Sequence, residues 1–338
     1  MTSRYNKSAL KKFLIIQTAS IGDVILATPV LEKIHRFCPE ATIDFLLKRG
    51  NESLFEGHPF IRRLLIWNKS EKKYANFNAI VREVRNNKYD AVINLQRFAS
   101  TGLLTAVSGA RYKAGFNKNP FSKFFTVRVR HMIKTGENHE IQRNLSLIEP
   151  LTDSSVVLPV LYPGPGHVAL MSQYKTVKYI TISPASLWFT KQYPPEKWIE
   201  FVLRVDPHIR IYFLGSKKDH QICQRIVQDS GHNNSMILAG TIGFLEAAVL
   251  MKDASMNYMN DSAPLHMASA VNAPTTAIFC STIPGFGFGP LAVDSTVIQS
   301  SEALSCRPCG LHGRKKCPEE HFKCALSIKT DELLKRLT

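Results

Sequence analysis

The sequence predicts an α/β protein built as two domains, each a parallel sheet wrapped by helices. Short apolar runs alternate with helical patterns along the chain, the arrangement that yields parallel sheets. The alternation is interrupted by one Pro- and Gly-rich stretch, Pro159 to Gly166. The 338 residues, 44% of them hydrophobic, suffice for two cores of roughly 160 residues each.

Taken in order, Lys11 to Gln17 reads as a strand and Val24 to Phe37 as a helix that stops at Pro39. Thr42 to Leu47 and Ile61 to Trp67 read as strands, Phe77 to Asn86 as a helix and Ala91 to Leu95 as a strand. Beyond the Pro/Gly stretch, strands are predicted at Tyr179 to Ser183, Ile209 to Leu214, Ser235 to Leu238, Ala254 to Tyr258 and Thr275 to Phe279. Helices fall between them, at Pro195 to Val205, Lys218 to Asp229, Gly243 to Met251 and Ala263 to Ala270. The boundary lies between residues 1–162 and 163–338, and the second part ends in a cysteine-rich segment and a terminal helix. Two Rossmann-like halves of this kind are expected to face each other across a cleft. The uncharged run Met267 to Val293 is long enough to span a membrane, but Pro274, Pro284 and Pro290 with Gly285, Gly287 and Gly289 break any helix there.

Lys and Arg number 43 against 27 acidic residues, a net charge of +16. Such an excess implies an anionic partner: nucleic acid, anionic lipid or phosphorylated glycan. Nucleic acid is disfavoured because the basic residues are spread and no nucleic-acid module is evident. The basic start is followed only by Phe13 to Ile16 before polar residues intervene, which does not make a secretory signal, so a cytoplasmic protein is expected.

Three loops carry candidate chemistry. Thr18-Ala19-Ser20-Ile21-Gly22-Asp23 follows the first strand, where open α/β sheets bind ligands. Gly22 admits a close ligand and Asp23 either presents a carboxylate over the crevice or caps the helix that follows. No Gly-x-Gly-x-x-Gly fingerprint is present. In the second half, Thr190-Lys191 lies in the loop after the first strand. A Lys between hydroxyls suits a diphosphate, although a loop Lys is also an ordinary solvated residue. Asn260-Asp261-Ser262-Ala263-Pro264-Leu265-His266 opens a helix, with Asp261 or Ser262 as a cap and Pro264 in the first turn. Its free N–H groups suit a phosphate, and His266 falls on the same face as Ser262 or packs as an ordinary histidine.

Together these loops resemble the glycosyltransferase family 9 heptosyltransferases, over essentially the whole chain. Gly-Asp-x-x-x-x-Thr-Pro matches Gly22-Asp23 to Thr28-Pro29, Thr-Lys-x-x-Pro matches Thr190-Lys191 to Pro194, and Asp-Ser-x-Pro-x-His matches Asp261 to His266. The cysteines from Cys306 onward resemble the second heptosyltransferase subgroup. The resemblance implies the GT-B fold, with an acceptor held by residues 1–162 and an ADP-sugar donor held by residues 163–338. It implies inverting transfer of heptose from ADP-heptose to the inner core of lipopolysaccharide, with Asp23 as general base and no catalytic metal or other cofactor. Thr190, Lys191, Ser216, Asp219, Asp261, Ser262 and His266 are then expected at the donor. Asp219 competes with its local reading as a cap of the helix it begins. Many family members have Gly where Ala263 stands.

On the acceptor side the resemblance points to Ser20, Gly22 and Gln96, with Arg111, Lys113 and Lys118 from a basic segment that also holds Lys123, Arg128, Arg130, Lys134 and Arg143 against Glu137 and Glu140. Sugar acids and phosphates suit that cluster, and so does an anionic membrane surface. The expected partners are an ADP-sugar, a lipid-linked anionic glycan and, peripherally, the inner membrane from its cytoplasmic face. Cys306, Cys309, Cys317 and Cys324 have the spacing of a closed thiolate site, so a structural zinc or iron is expected there, with unliganded thiols as the alternative. The competing enzymatic reading is another GT-B nucleotide-sugar transferase or a UDP-sugar epimerase acting on surface-polysaccharide precursors.

Overall fold

A computed structural model describes residues 10–133, 136 and 138–337. Lys134 and Glu137 of the basic segment lie outside the described residues. The chain divides into two compact units, Met1–Ile133 with Asn138–Tyr162, and Lys134–Glu137 with Pro163–Thr338.

The first unit holds β1 (Lys12–Gln17), β2 (Thr42–Lys48), β3 (Ile61–Trp67), β4 (Ala91–Asn94), β5 (Tyr112–Phe116) and β6 (Val127–Val129). They form one sheet in the order β3-β2-β1-β4-β5-β6. Every pairing in it is parallel. The second unit holds β7 (Tyr179–Ser183), β8 (Arg210–Phe213), β9 (Ser235–Ile237), β10 (Met256–Asn260), β11 (Thr275–Phe279) and β12 (Ser295–Gln299). Their order, β12-β11-β10-β7-β8-β9, repeats the doubly wound plan of the first unit. Each sheet therefore reverses direction once, between β1 and β4 and between β7 and β10. The loops leaving those paired strands turn apart, and this opens a crevice at their C-terminal ends.

The strands form where the sequence is continuously apolar because both faces are covered by helices. In the first unit Leu14, Ile16, Leu46, Leu65 and Val92 pack with Trp67, Tyr89 and Val84. In the second, Ile180, Ile182, Ile211 and Phe213 pack with Trp198, Phe201 and Tyr258. Burying each such side chain contributes about 1.5–3 kcal/mol.

The predicted helix from Val24 to Phe37 is two helices, Ile21–Ile25 and Thr28–Phe37. Pro29 sits in the first turn of the second and has no N–H to continue the first. The Thr28 hydroxyl donates to the Ile25 carbonyl at 2.8 Å and accepts from the Val160 N–H at 3.0 Å, which ties the break to the end of the unit. The predicted strand Ala254 to Tyr258 runs two residues later, as β10. Elements unforeseen in the sequence include the helices Ala99–Val107, Glu140–Leu145 and Pro165–Met171 and strands β5, β6 and β12.

Lys33, fully buried on the helix Thr28–Phe37, donates to the carbonyls of Asp153 at 2.7 Å and Ser155 at 2.5 Å. Its ammonium also lies 2.7 Å from the Asp153 carboxylate. Hydrogen bonds from Lys33 and Ser155 hold that carboxyl at about 2, below its ordinary 3.8. Because the folded-state pKa is depressed, the pair stabilises the fold above about pH 4, and that contribution is lost as pH falls through about 2. Asp153→Asn is therefore expected to flatten the acid limb of a stability-versus-pH curve between those values, as read by denaturant titration at successive pH.

Candidate active site

In the first unit the crevice is built from the loops after β1 and β4. Ser20 is the N-cap residue of the helix Ile21–Ile25 by position, and Gly22 is buried inside its first turn. Asp23 is half-buried, and its carboxylate accepts a hydrogen bond from the Ser20 hydroxyl. The helix has no side-chain cap, so Asp23 is not spent on backbone N–H groups. Gln96, just past β4, is buried and accepts from the Thr18 hydroxyl at 2.5 Å. Thr18 in turn accepts from Lys69 Nζ at 2.5 Å. Lys69 stands 4.4 Å over the Trp67 ring. Burial, and then the charge of Lys48, push its pKa down to about 8.

Around Asp23 the fold gathers charges that local sequence motifs do not reveal. The helix Glu140–Leu145 is fastened beside the Asp23 loop by Asn144 Nδ2, which donates to the Leu26 carbonyl at 3.1 Å. Glu140 on that helix is buried and paired with Arg143, Nε to Oε2 at 2.7 Å. Burial raises the Glu140 pKa, Arg143 opposes the rise, and the charge of Asp23 adds to it. Arg97, at the end of β4, contacts Nδ1 of the buried His131 at 3.2 Å. His131 is held neutral, with its pKa pushed down to about 3 by burial and then by Arg97, Arg143 and Lys118. Glu140 thus lies within electrostatic reach of Asp23, Arg143 and Arg97, and His131 within reach of Arg97, Arg143 and Lys118.

Two expected acceptor residues lie toward the start of β5. Arg111 precedes β5 and Lys113 is its second residue, with Nζ donating to the Ala106 carbonyl at 3.1 Å. Arg111 is about 17 Å and Lys113 about 10 Å along the strand from its C-terminal end, where the loops carrying Asp23 and Gln96 lie. Lys118 follows β5, at the end of the sheet that carries the loop with Asp23.

In the second unit the crevice lies after β7 and β10. Lys191 Nζ is 2.6 Å from the Asp261 carboxylate, whose same oxygen accepts from the Thr282 hydroxyl at 2.6 Å. Asn260 crosslinks the two loops, taking the Tyr193 N–H at 2.9 Å and donating to the Pro184 carbonyl at 2.7 Å. Ser262 is the N-cap residue of the helix Ala263–Ala270, but its hydroxyl donates to the Asn260 carbonyl at 3.3 Å and does not cap. Asp261, the other candidate cap, is occupied by Lys191. The helix thus starts without a side-chain cap, and His266 is buried within its second turn with its ring 6.4 Å from that of Phe288.

Thr190 is buried, and its hydroxyl accepts from the Arg314 N–H at 2.7 Å and from Ser281 at 3.0 Å. Its place in the site is to fix the loop that carries Lys191. Asp219 accepts the Ser216 N–H at 2.7 Å and hydroxyl at 2.8 Å, closing a capping box after β8. Asp219 gives no side-chain cap to the helix His220–Ser230 that it begins, and serves instead the short turn Lys217–Asp219 before it.

The four cysteines of the expected structural site lie close together in the second unit. Cys306, Cys309, Cys317 and Cys324 are free thiols that lie within electrostatic reach of one another: burial raises Cys324 to about 11, and the other three add to the rise. Cys309 Sγ points at the Cys306 carbonyl at 3.4 Å, while Cys306 Sγ lies 4.0 Å from His321 Nε2. Among the described residues no three His, Cys, Asp or Glu groups converge as a metal requires. The segment is instead pinned by Arg307, which donates to the carbonyls of Cys280 at 2.7 Å and Thr282 at 2.8 Å. It also braces the Lys191 loop. Gly313 has φ +76°, and a Cβ there would meet Lys191 Cγ at 3.1 Å.

The profile of glycosyltransferase family 9 (heptosyltransferase) matches residues 77–322. This chain belongs to that family. Lipopolysaccharide heptosyltransferase 3 of Escherichia coli is 28% identical over 277 residues, 77% of this chain and 81% of its own. Among solved structures, the family 9 glycosyltransferase of Veillonella parvula DSM 2008 superposes with a TM-score of 0.82 at 22% identity, covering 99% of this chain and 97% of its own. The E. coli ADP-heptose lps heptosyltransferase II gives 0.78 at 18% identity, with 96% and 97% covered. The family 9 enzyme therefore has the GT-B fold, two parallel-sheet α/β domains, and is a glycosyltransferase. No described helix is long and apolar enough to cross a membrane.

Proposed function

We propose that this family 9 enzyme is an inverting heptosyltransferase that moves heptose from ADP-heptose onto the inner core of lipopolysaccharide. The observation that carries the reading is a division of charge between the two crevices: a half-buried carboxylate, Asp23, at one strand crossover and a cation, Lys191, at the other. Asp23 removes the proton from the acceptor hydroxyl as that oxygen attacks the anomeric carbon from the face opposite the leaving ADP. Lys191 meets the negative charge growing on the diphosphate, and the uncapped start of the helix Ala263–Ala270 directs N–H groups toward it. Those two elements do what a catalytic metal does in other transferases, and the reaction as proposed needs no other cofactor.

The residues 1–162 then hold the acceptor and 163–338 the donor. Ser20 orients Asp23, and Gly22 keeps side-chain bulk away from the acceptor. Gln96, Lys118, Arg97 and Arg143 receive the acidic groups of the inner core, with Glu140 and the neutral His131 fixing the guanidinium planes. Ser216, Asp219, Ser262 and His266 border the ribose and diphosphate, while Thr190 and Asp261 position Lys191. The acceptor being lipid-linked, the enzyme works at the cytoplasmic face of the inner membrane.

Calorimetric titration of ADP, UDP and GDP into the protein with EDTA present tests the donor assignment. ADP is expected to bind most tightly. Equal binding of the three, or none without a divalent metal, overturns it.

A further inference from the structure

We propose that Phe98, Phe124 and the basic residues around them form a docking surface for an anionic lipid bilayer, an inference that rests on the lipid-linked acceptor proposed above. From Ala91 to Gly136 the chain contains no Asp or Glu but eight Lys and Arg. Folded, that acid-free stretch supplies β4, β5, β6, the helix Ala99–Val107 and the loops at their ends.

Two of those loops expose large apolar side chains. Phe98 precedes the helix Ala99–Val107 and is 62% exposed, and Phe124, in the loop after β5, is 51% exposed. Asn119 clamps the two loops together: Nδ2 donates to the carbonyls of Gln96 at 3.2 Å and Phe98 at 3.0 Å, and Oδ1 accepts the Phe121 N–H at 2.9 Å. The helix makes room for that clamp with Gly102, where a Cβ would lie 1.9 Å from Asn119 Oδ1. Phe125 is buried against Gly115, where a Cβ would meet its ring at 2.5 Å. The chain therefore anchors one phenylalanine in the core and leaves its neighbour in solvent, stacked on Phe121 with centroids 6.4 Å apart and with Lys123 Nζ 5.2 Å from its ring.

Lys118, Lys123, Arg128 and Arg130 are exposed around this pair. Aromatic rings ringed by Lys and Arg match a bilayer interface, where rings settle at headgroup depth and the cations meet anionic lipid. The unbroken positive sign decides for a negatively charged membrane over a neutral one. Both loops lie at the C-terminal ends of β4 and β5, the same end of the sheet as Asp23. Docking there brings the acceptor crevice to the membrane that holds the acceptor.

The test is co-sedimentation of the full chain with vesicles of phosphatidylglycerol mixed with phosphatidylcholine, and of phosphatidylcholine alone. Wild type is expected to partition onto the anionic vesicles. Phe98→Ser with Phe124→Ser, which leaves the charge unchanged, and Lys123→Glu with Arg128→Glu should each lower the partition constant about tenfold or more. Lys315→Glu with Lys316→Glu, the same charge change in the cysteine segment, should lower it less. Equal loss in both charge variants, wild-type behaviour of the phenylalanine variant, or failure of wild type to bind overturns the proposal. So does loss of self-association, in place of vesicle binding, when the phenylalanines are replaced. ADP titration on the same samples separates the two readings: vesicle binding without ADP binding sinks the donor assignment alone, and the reverse sinks the docking surface alone.

Discussion

Asp23→Asn is expected to lower heptosyl transfer by about 10²–10⁴-fold while leaving ADP affinity unchanged. The substitution conserves shape, and the amide oxygen still accepts the Ser20 hydroxyl, so the loop after β1 keeps its conformation. What is lost is the capacity to take a proton. Stability should also be preserved, because the helix Ile21–Ile25 draws no side-chain cap from Asp23. Initial rates with the lipid-linked acceptor, set beside calorimetry with ADP, check both halves of the expectation. Glu140 offers no replacement base, since it is buried and its carboxylate is held by Arg143 at 2.7 Å. Retention of most of the activity would remove Asp23 from the mechanism.

Lys191→Met is expected to show two separable losses. Affinity for ADP should fall about 10- to 100-fold, the value of one charge-assisted hydrogen bond to phosphate. Thermal stability should fall as well, because Asp261 is left buried with only the Thr282 hydroxyl, at 2.6 Å, and removing one member of a buried pair typically costs about 3–5 kcal/mol. Adding Asp261→Asn should restore much of the stability and none of the affinity. Thermal unfolding and ADP titration of the single and double variants form the measurement. Affinity that returns with stability would make Lys191 a structural residue.

What could be read from the sequence follows a physical division. β7, Tyr179–Ser183, is buried at every position and flanked by polar residues, so its pattern is local and its bounds were legible. β5 contains Lys113 and Gly115, and β6 has three residues, so neither shows an apolar run even though both complete the sheet. Because β5 is not legible, the basic stretch from Arg111 to Lys118 looks continuous in sequence, whereas the strand carries its two ends apart. Asp23 and Lys191 were legible because each lies just beyond a strand that is itself legible. Arg97 and His131 carry no local signal, because only tertiary folding brings them together and within reach of Arg143. The sole local signal was the i, i+3 spacing of Glu140 and Arg143. Cysteine spacing shows that four thiols are near in sequence, and folding keeps them within electrostatic reach of one another.

The brace between Thr190 and Arg314 also orders events during synthesis. The first unit has its last segment once Tyr162 has left the ribosome, and domains generally fold in the order they emerge. The loop holding Lys191 is different: its backbone is completed by the Arg314 N–H and carbonyl, more than a hundred residues later. A nascent chain can therefore hold a finished crevice in its first unit while the Lys191 loop of the second still lacks a wall, so the two halves of the enzyme mature one after the other.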